Sequence, residues 1–390
     1  MTSDSFYHPT WAEIDLEAIR HNYEEIKRLA VQQFDPRPLK IPARRRGLYP
    51  QILPVIKADA YGHGMKEIAD LLDRLGVNIF CVSDLEEGII LRKQRILKPI
   101  LLLESTLPAL AKDIVDHNLT PTVVTWDLAL ALNRYAKLKK KIINVHVYVD
   151  TGMGRLGIPY SQARSFIDRL MRLSNVQVEG VYTHFPVADT NVHFTREQIR
   201  KLYQLVHYFD QQGKIILYVH ATNSMGIVGY KHHIFNLARP GLMLYGLYPT
   251  TKLRYKIKLK PAMQVRSRVI FIKKIASGTG ISYGHTFVAK KNITIATLPI
   301  GYQDGYLRYL SNKSYVLIAG KRCSVVGRVT MDQIMVDVSK VKNVKIGMEA
   351  VILGKQGKEE VSADTLAKLA DTISYEVICS LGNRLPRVYK

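Results

Sequence analysis

The sequence predicts an α/β chain, with an N-terminal (β/α)8 TIM barrel over residues 1–248 and a C-terminal, mainly β domain over residues 249–390. Three observations carry that expectation. The chain has 390 residues, more than one ordinary core accommodates. Eight short apolar stretches alternate with helix-periodic stretches up to about residue 245. Beyond about residue 250 the alternation gives way to β-rich stretches divided by Gly, Asn and Lys turns.

The first ordered element is a helix: Asp15 suits its N-cap, and Leu16, Ile19, Tyr23, Ile26 and Leu29 recur at helical spacing. The first dozen or so residues could instead pair with the β domain. The Pro- and Arg-rich run FDPRPLKIPARRRGLYP (34–50) reads as a loop or insertion whose basic part, 36–49, suggests no role beyond surface. Barrel strands are then expected at ILPVIK (52–57), NIFCVS (78–83), PILLLE (99–104), TPTVV (120–124), NVHVYVD (144–150), VQVEGVYTH (176–184), KIILYVH (214–220) and IFNLAR (234–239). Helices are expected between them, as at MKEIADLLDRLG (65–76) and REQIRKLYQLVHYFD (196–210). In the second domain, strands are expected in AMQVRSRVIFIKKI (262–275), NITIATLPIGY (292–302), SYVLIAGKRCSVVGRVT (314–330), QIMVDVS (333–339) and EAVILG (349–354). A single helix, ADTLAKLADTI (363–373), interrupts them.

Composition narrows the function classes. With 47% hydrophobic and 23% charged residues the chain is globular, and its apolar runs are strand-sized rather than membrane-spanning. The N-terminus lacks the basic head and apolar stretch of a signal peptide. Cys81, Cys323 and Cys379 are widely spaced without a Cys-x-x-Cys pair, which points to a reducing, cytoplasmic setting. A net charge of +23 raises the question of nucleic acid. The basic runs at 43–46, 137–141 and 256–260 lie in separate segments without interleaved aromatics, so they read as solvated surface. No specific nucleic-acid partner and no membrane partner is expected.

Barrel enzymes place their chemistry at the C-terminal ends of the strands, often with a phosphate site after strands seven and eight. The unusual residues fall there. Lys57 ends strand one, Asp150-Thr-Gly-Met-Gly-Arg155 follows strand five, His184 ends strand six, Asn223-Ser224 follows seven and Arg239-Pro-Gly241 follows eight. Ser224 with the backbone near Gly241 could cradle a phosphate. A lysine facing such a site points to pyridoxal 5'-phosphate held as a Schiff base. Each residue also has a plainer reading. Lys57 could be solvated at a strand end, and His184 could be a hydrogen-bonded core histidine. GTGISYG could be a glycine-rich hairpin with Tyr283 merely packing, and Tyr302 and Tyr375 could be half-buried aromatics. His184, Asp189 and His193, like the KHH run at 231–233, have loosely metal-like spacing. No carboxylate or cysteine set completes either group, so no metal is expected.

Taken together, WAEIDLEAIRHN, VIKADAYGHG, VDTGMGRLG, THFPVAD, ATNSMG, ARPGLMLYG, ISYGHTF, LPIGYQDGY, RVTMDQIMVDV and SYEVICSLGNRLPRVY resemble the alanine racemase family in order along essentially the whole chain. The resemblance implies a PLP-dependent, two-base interconversion of L- and D-alanine that supplies D-alanine for peptidoglycan. It implies Lys57 as cofactor anchor and one base, and Tyr283 as the other base, supplied by the partner of a homodimer with shared active sites. Arg239 would face the pyridine nitrogen, with His184 orienting Arg239 and Tyr283. Arg155 would place the substrate carboxylate. Tyr61, Ser224, Tyr375 and the backbone of Gly241 and Leu242 would hold the cofactor phosphate, with Asn223 close by. Met331 and Asp332 of the partner would shape the substrate pocket.

One position departs from the family pattern. Many members carry a lysine, often carbamylated, two residues before the Asp of DTGM, where this chain has Tyr148. Arg155 should then be braced by the Tyr148 hydroxyl, by another polar neighbour or by a bound anion. The departure keeps a serine-preferring or broad-specificity racemase open as an alternative. A non-catalytic PLP-binding barrel would normally lack the β domain and Tyr283. A decarboxylase of related architecture would face the pyridine nitrogen with a carboxylate rather than with Arg239.

Overall fold

The computed structural model describes residues 8–34, 50–230, 234–382 and 384–390. The basic segment 36–49 and the KHH run lie outside them. The chain divides into two compact units, one of residues 19–60 and 65–260, the other of residues up to 18, 61–64 and 261–390.

The first unit is the barrel. Strands two to seven (Phe80–Val82, Ile100–Ser105, Thr120–Val123, Ile143–Asp150, Val176–Tyr182, Tyr218–His220) pair in parallel in that order. Three further links close the ring. Strand eight, Leu237–Ala238, pairs in parallel with Gln51–Ile52 of strand one. Asn236 N–H donates to the Val219 carbonyl at 3.0 Å, and its side chain accepts from Val219 N–H at 2.9 Å, joining seven to eight. Val55 bridges Cys81, flanked by Ile56 N–H to the Cys81 carbonyl (2.9 Å) and Cys81 N–H to the Pro54 carbonyl (3.2 Å), joining one to two. Strands one and eight are shorter than the sequence pattern predicts for physical reasons. Pro54 has no N–H to give the ladder, and the Asn236 side chain stands in for main-chain partners. The strands mix buried apolar residues with buried Thr120, Thr122, His146 and His220.

Local signals set the helices that follow the strands. Asp84, Thr125 and Asn191 each accept a main-chain N–H three residues on, starting the helices Leu85–Lys93, Trp126–Leu138 and Val192–Gln211. Helix Met65–Arg74 buries Met65, Ile68, Ala69, Leu71 and Leu72, the stripe its periodicity predicts. Asp15 caps Leu16–Gln33 by accepting Ala18 N–H at 2.9 Å. Among the described residues no helix is long and apolar enough to cross a membrane.

The segment Lys57–Gly62 is a helical turn of the opposite hand. Ala58, Asp59, Ala60 and Tyr61 have φ of 53, 52, 54 and 54°, and Gly62 has 79°. Each non-glycine residue in that conformation costs about 1–2 kcal/mol, so four in succession need external support. In the barrel unit Glu87 accepts Ala58 N–H at 2.6 Å and Asp59 accepts Met65 N–H at 2.8 Å. In the other unit the Arg387 guanidinium donates to the Gly62 carbonyl at 3.1 and 3.3 Å.

The second unit is mainly β. Its larger sheet runs Lys321–Ser324, Tyr315–Ile318, Glu349–Gln356, Met263–Arg268, Trp11–Ile14, Arg387–Tyr389, with Glu359–Val361 paired to Glu349–Gln356. Trp11–Ile14 lies antiparallel to Met263–Arg268 and parallel to Arg387–Tyr389. A smaller sheet joins Phe271–Ile275, Ile293–Leu298 and Ile334–Asp337. The expected helix forms as Ala363–Ala370, and a second one, Ser374–Ser380, follows that periodicity did not predict: seven residues are too few to show a period.

Gly62→Ala tests the left-handed turn. A Cβ there would lie 2.5 Å from the Ile378 carbonyl oxygen. The substitution should lower the unfolding free energy by about 2–3 kcal/mol in urea titration. A loss below about 0.5 kcal/mol would mean that the turn has another accessible conformation.

Candidate active site

The loops at the C-terminal end of the barrel strands gather eight of the residues singled out from sequence: Lys57, Arg155, His184, Asn223, Ser224, Arg239, Gly241 and Leu242. Lys57 is the first residue of the left-handed turn rather than the last of its strand. After strand five, the Asp150 carboxylate accepts the N–H groups of Gly152, Met153 and Gly154 at 2.8–3.2 Å. That collar shapes the loop bearing Arg155, whose side chain is exposed. Thr151 and Thr183 share a hydrogen bond of 2.7 Å, and Gln198 donates to Thr151 Oγ1 and the His184 carbonyl, tying loops five and six together. After strand seven, Asn223 accepts Gly226 N–H and donates to the Phe185 carbonyl. The buried Ser224 hydroxyl accepts Gly241 N–H at 3.3 Å, and Leu242 begins a buried 3-10 turn.

Arg239 is the centre of this arrangement. Only 3% exposed, it donates through Nη2 to the carbonyls of Thr183 (2.7 Å) and Ala221 (3.2 Å), with His184 Nδ1 at 3.3 Å. Its Nη1 meets His220 Nδ1 at 2.6 Å. A guanidinium can only donate, so His220 Nδ1 accepts and its proton sits on Nε2, aimed at His146 Nδ1 2.9 Å away. Burial and then the Arg239 charge hold His220 well below the ordinary histidine value. His184 is pushed down to about 3 by burial, then by Arg239, Arg155 and Lys57. These three cations therefore act on one imidazole. The Cys81 thiol is raised to about 12 by complete burial, although Arg239 and Lys57 oppose the shift.

Tyr148 stands in a ring stack rather than a charged brace. Tyr182 lies against Tyr148 on one side (4.7 Å, 11°) and His220 on the other (4.7 Å, 9°), with the Arg239 guanidinium 5.2 Å from the Tyr182 ring centre. Tyr182 is fixed by Thr122 at 2.8 Å and the Leu103 carbonyl at 3.2 Å. Burial raises the Tyr148 phenol, and Arg155 is the largest opposing charge. The guanidinium acts on that buried hydroxyl both as a charge and as a side-chain donor, without reaching ideal hydrogen-bond geometry. Of the three braces considered for Arg155, the Tyr148 hydroxyl is within its reach, but off the geometry of a normal hydrogen bond.

The other five residues, Tyr61, Tyr283, Met331, Asp332 and Tyr375, belong to the β unit. Tyr61 and Tyr375 pack with ring centres 6.2 Å apart. Tyr283 sits at the tip of the hairpin Gly280–Ile281/Phe287–Val288 and is 71% exposed. That tip is held by positive φ at Ser282 (64°) and Gly284 (68°) and by the Ser282 hydroxyl on the Arg328 carbonyl (2.7 Å). Its base packs into a small core of Ile275, Ile281, Ala289, Ile293, Ile295 and Val326. Met331 and Asp332 are exposed, with Asp332 paired to Arg384 at 2.9 Å.

Sequence reasoning missed four residues in the barrel: Glu87, His146, Tyr182 and His220. His220 was findable, since it ends strand seven as His184 follows strand six. Chemically, a primary amine, two guanidiniums and neutral imidazoles around one barrel mouth suit an anionic ligand that bears a carbonyl.

Residues 40–249 match the family profile described as "Alanine racemase, N-terminal domain", and 262–389 that described as "Alanine racemase, C-terminal domain". The alanine racemase of Carboxydothermus hydrogenoformans is 42% identical over 98% of this chain and 99% of its own length. That of Halothermothrix orenii is 40% identical over 98% and 97%. Among solved structures, the alanine racemase of Clostridium difficile 630 superposes with a TM-score of 0.90 at 36% identity, covering 99% of this chain and 97% of that one. The alanine racemase of Bacillus anthracis with bound L-Ala-P gives 0.87 at 32% identity, over 99% and 96%.

Tyr148→Phe removes only a hydroxyl that lacks an ideally placed partner and keeps the stack. It should leave stability unchanged or raise it by up to about 1 kcal/mol, as read by urea midpoint. A loss of more than about 1 kcal/mol would show that the hydroxyl has a partner in solution.

Proposed function

The chain belongs to the alanine racemase family, and we propose that it interconverts L- and D-alanine with pyridoxal 5'-phosphate, providing D-alanine for peptidoglycan. The observation that carries this reading is the barrel mouth in which buried Arg239 meets His184 and His220 beside the Ser224–Gly241 contact. The donor set fits the cofactor: an amine for an aldehyde, a buried hydroxyl beside the Gly241 N–H for a phosphate, and a permanent cation for the ring end. When bound, the cofactor supplies the carbonyl that takes the substrate amine and a ring that withdraws charge from Cα.

The remaining work falls to the chain. Lys57 would anchor the cofactor, and Tyr61, Ser224, Tyr375 and the backbone of Gly241 and Leu242 would hold its phosphate, with Asn223 close by. Racemisation requires a proton to leave Cα on one face and return on the other, which calls for two bases. Lys57 Nζ and the Tyr283 hydroxyl fill those places. Arg155 binds the substrate carboxylate. Arg239 would face the ring nitrogen as a donor that does not give up a proton, because guanidinium does not titrate in this range. Such a donor would limit charge build-up in the ring and favour proton exchange over other reactions. His184 and His220, held neutral, can accept from Arg239 without adding charge.

The Tyr283 hydroxyl, exposed within one chain, would become a base when a second copy covers it, with that copy's Lys57 opposite. Exposed Tyr302 (42%), Tyr309 (75%), Met331 (51%) and Ile373 (61%) in the same unit support such a homodimer. Met331 and Asp332 would shape the partner's substrate pocket. The three free cysteines support a cytoplasmic setting.

Loading with pyridoxal 5'-phosphate should give a yellow protein that converts L-alanine to D-alanine, with borohydride fixing the cofactor on Lys57. A folded, loaded protein that makes no D-alanine would contradict the assignment. The shared site has its own test. Lys57→Ala and Tyr283→Phe, each inactive alone, should regain roughly a quarter of wild-type activity when refolded together, since half the dimers are mixed with one intact site in two. Proven mixed dimers without activity would place both bases in one chain.

A further inference from the structure

Resting on that reading of the site, we propose that Glu87 is a positioning residue for Lys57: its carboxylate clamps the peptide that follows the lysine. Glu87 Oε1 accepts Ala58 N–H at 2.6 Å, and Oε2 accepts Ser83 N–H at 2.8 Å. One side chain thus joins the exits of strands one and two. Its own backbone is fixed, because Asp84 caps the helix Leu85–Lys93 by accepting Glu87 N–H at 3.0 Å.

The Ala58 N–H belongs to the same peptide plane as the Lys57 carbonyl. Holding it sets ψ of Lys57 and with it the direction in which the lysine side chain leaves the backbone. Without the clamp that N–H would lack a partner at the start of a turn whose next residues, Ala58 to Tyr61, all have positive φ. Nothing in Ala-Asp-Ala-Tyr favours that hand, so it must be imposed from outside. A part-buried carboxylate accepting two main-chain N–H groups has the geometry and the strength for this. Glu87 touches neither the reacting atoms nor, in the assignment above, the cofactor. It acts through Lys57.

Glu87→Gln keeps shape and size, but its single carbonyl oxygen can serve one N–H while its amide opposes the other. Glu87→Asp keeps both oxygens one carbon short. The test compares these with wild type in three readouts: amide exchange at Ala58, thermal midpoint, and kcat and KM for L-alanine in the pyridoxal-phosphate-loaded enzyme. Both variants should raise Ala58 exchange at least about tenfold and lower kcat by about 10- to 100-fold, with KM within about threefold and the midpoint within a few degrees. Unchanged Ala58 exchange overturns the proposal, as does unchanged kcat. A kcat loss that merely tracks a falling midpoint across both variants also overturns it, because that is a general structural role. The exchange arm needs no cofactor. If the wild-type enzyme fails to racemise alanine, the functional assignment fails while Ala58 exchange still decides whether Glu87 holds the turn.

Discussion

A guanidinium buried to 3% exposure is the constraint around which the barrel mouth is built. Burying such a charge costs several kcal/mol unless its donors are met. Arg239 meets the Thr183 and Ala221 carbonyls and two imidazoles, and its face lies near the Tyr182 ring. Those acceptors come from the ends of strands six and seven, while Arg239 itself follows strand eight. One side chain therefore locks three adjacent strand exits together. The acceptors are all neutral, so the positive charge is kept rather than cancelled.

That retained charge organises its neighbours. It contributes to holding His184 and His220 neutral, and burial keeps Cys81 and Tyr148 in their protonated forms. The Tyr148–Tyr182–His220 stack then fills the space beside the guanidinium with rings from strands five, six and seven, which is packing rather than charge pairing. The strained element is elsewhere, in the left-handed turn after strand one, and its cost is offset by contacts in each unit: Glu87 on Ala58, Arg387 on Gly62. Rigid strand exits and one over-determined turn are what a site needs when a lysine must be aimed.

Much of this was legible in the sequence. The alternation of apolar and helix-periodic stretches predicts the barrel, Asp15 predicts a cap, and the strand-end rule picks out Lys57, His184 and Arg239 before any geometry is known. What was not legible arises from contacts between distant segments. Nothing in KADAYG signals a left-handed turn, because its hand is set by Glu87 and Arg387, 25 or more residues further along the chain. Tyr182 and Tyr148 look like core residues singly, and become a stack only when strands five and six align in register. The shortness of strand eight was hidden because Asn236 satisfies ladder groups with its side chain. Ser374–Ser380 is too short to show a period.

The neutral, accepting histidines around Arg239 are tested by a side-chain ¹⁵N NMR titration of histidine-labelled protein, with His184→Gln and His220→Gln assigning the two signals. Both imidazoles should remain neutral from pH 8 down to pH 5, because burial and the Arg239 charge hold them below the ordinary value of 6.5. His220 should show an unprotonated Nδ1 and a protonated Nε2, as a guanidinium donor requires. Either histidine becoming an imidazolium with a midpoint near 6.5, or His220 carrying its proton on Nδ1, would contradict that arrangement.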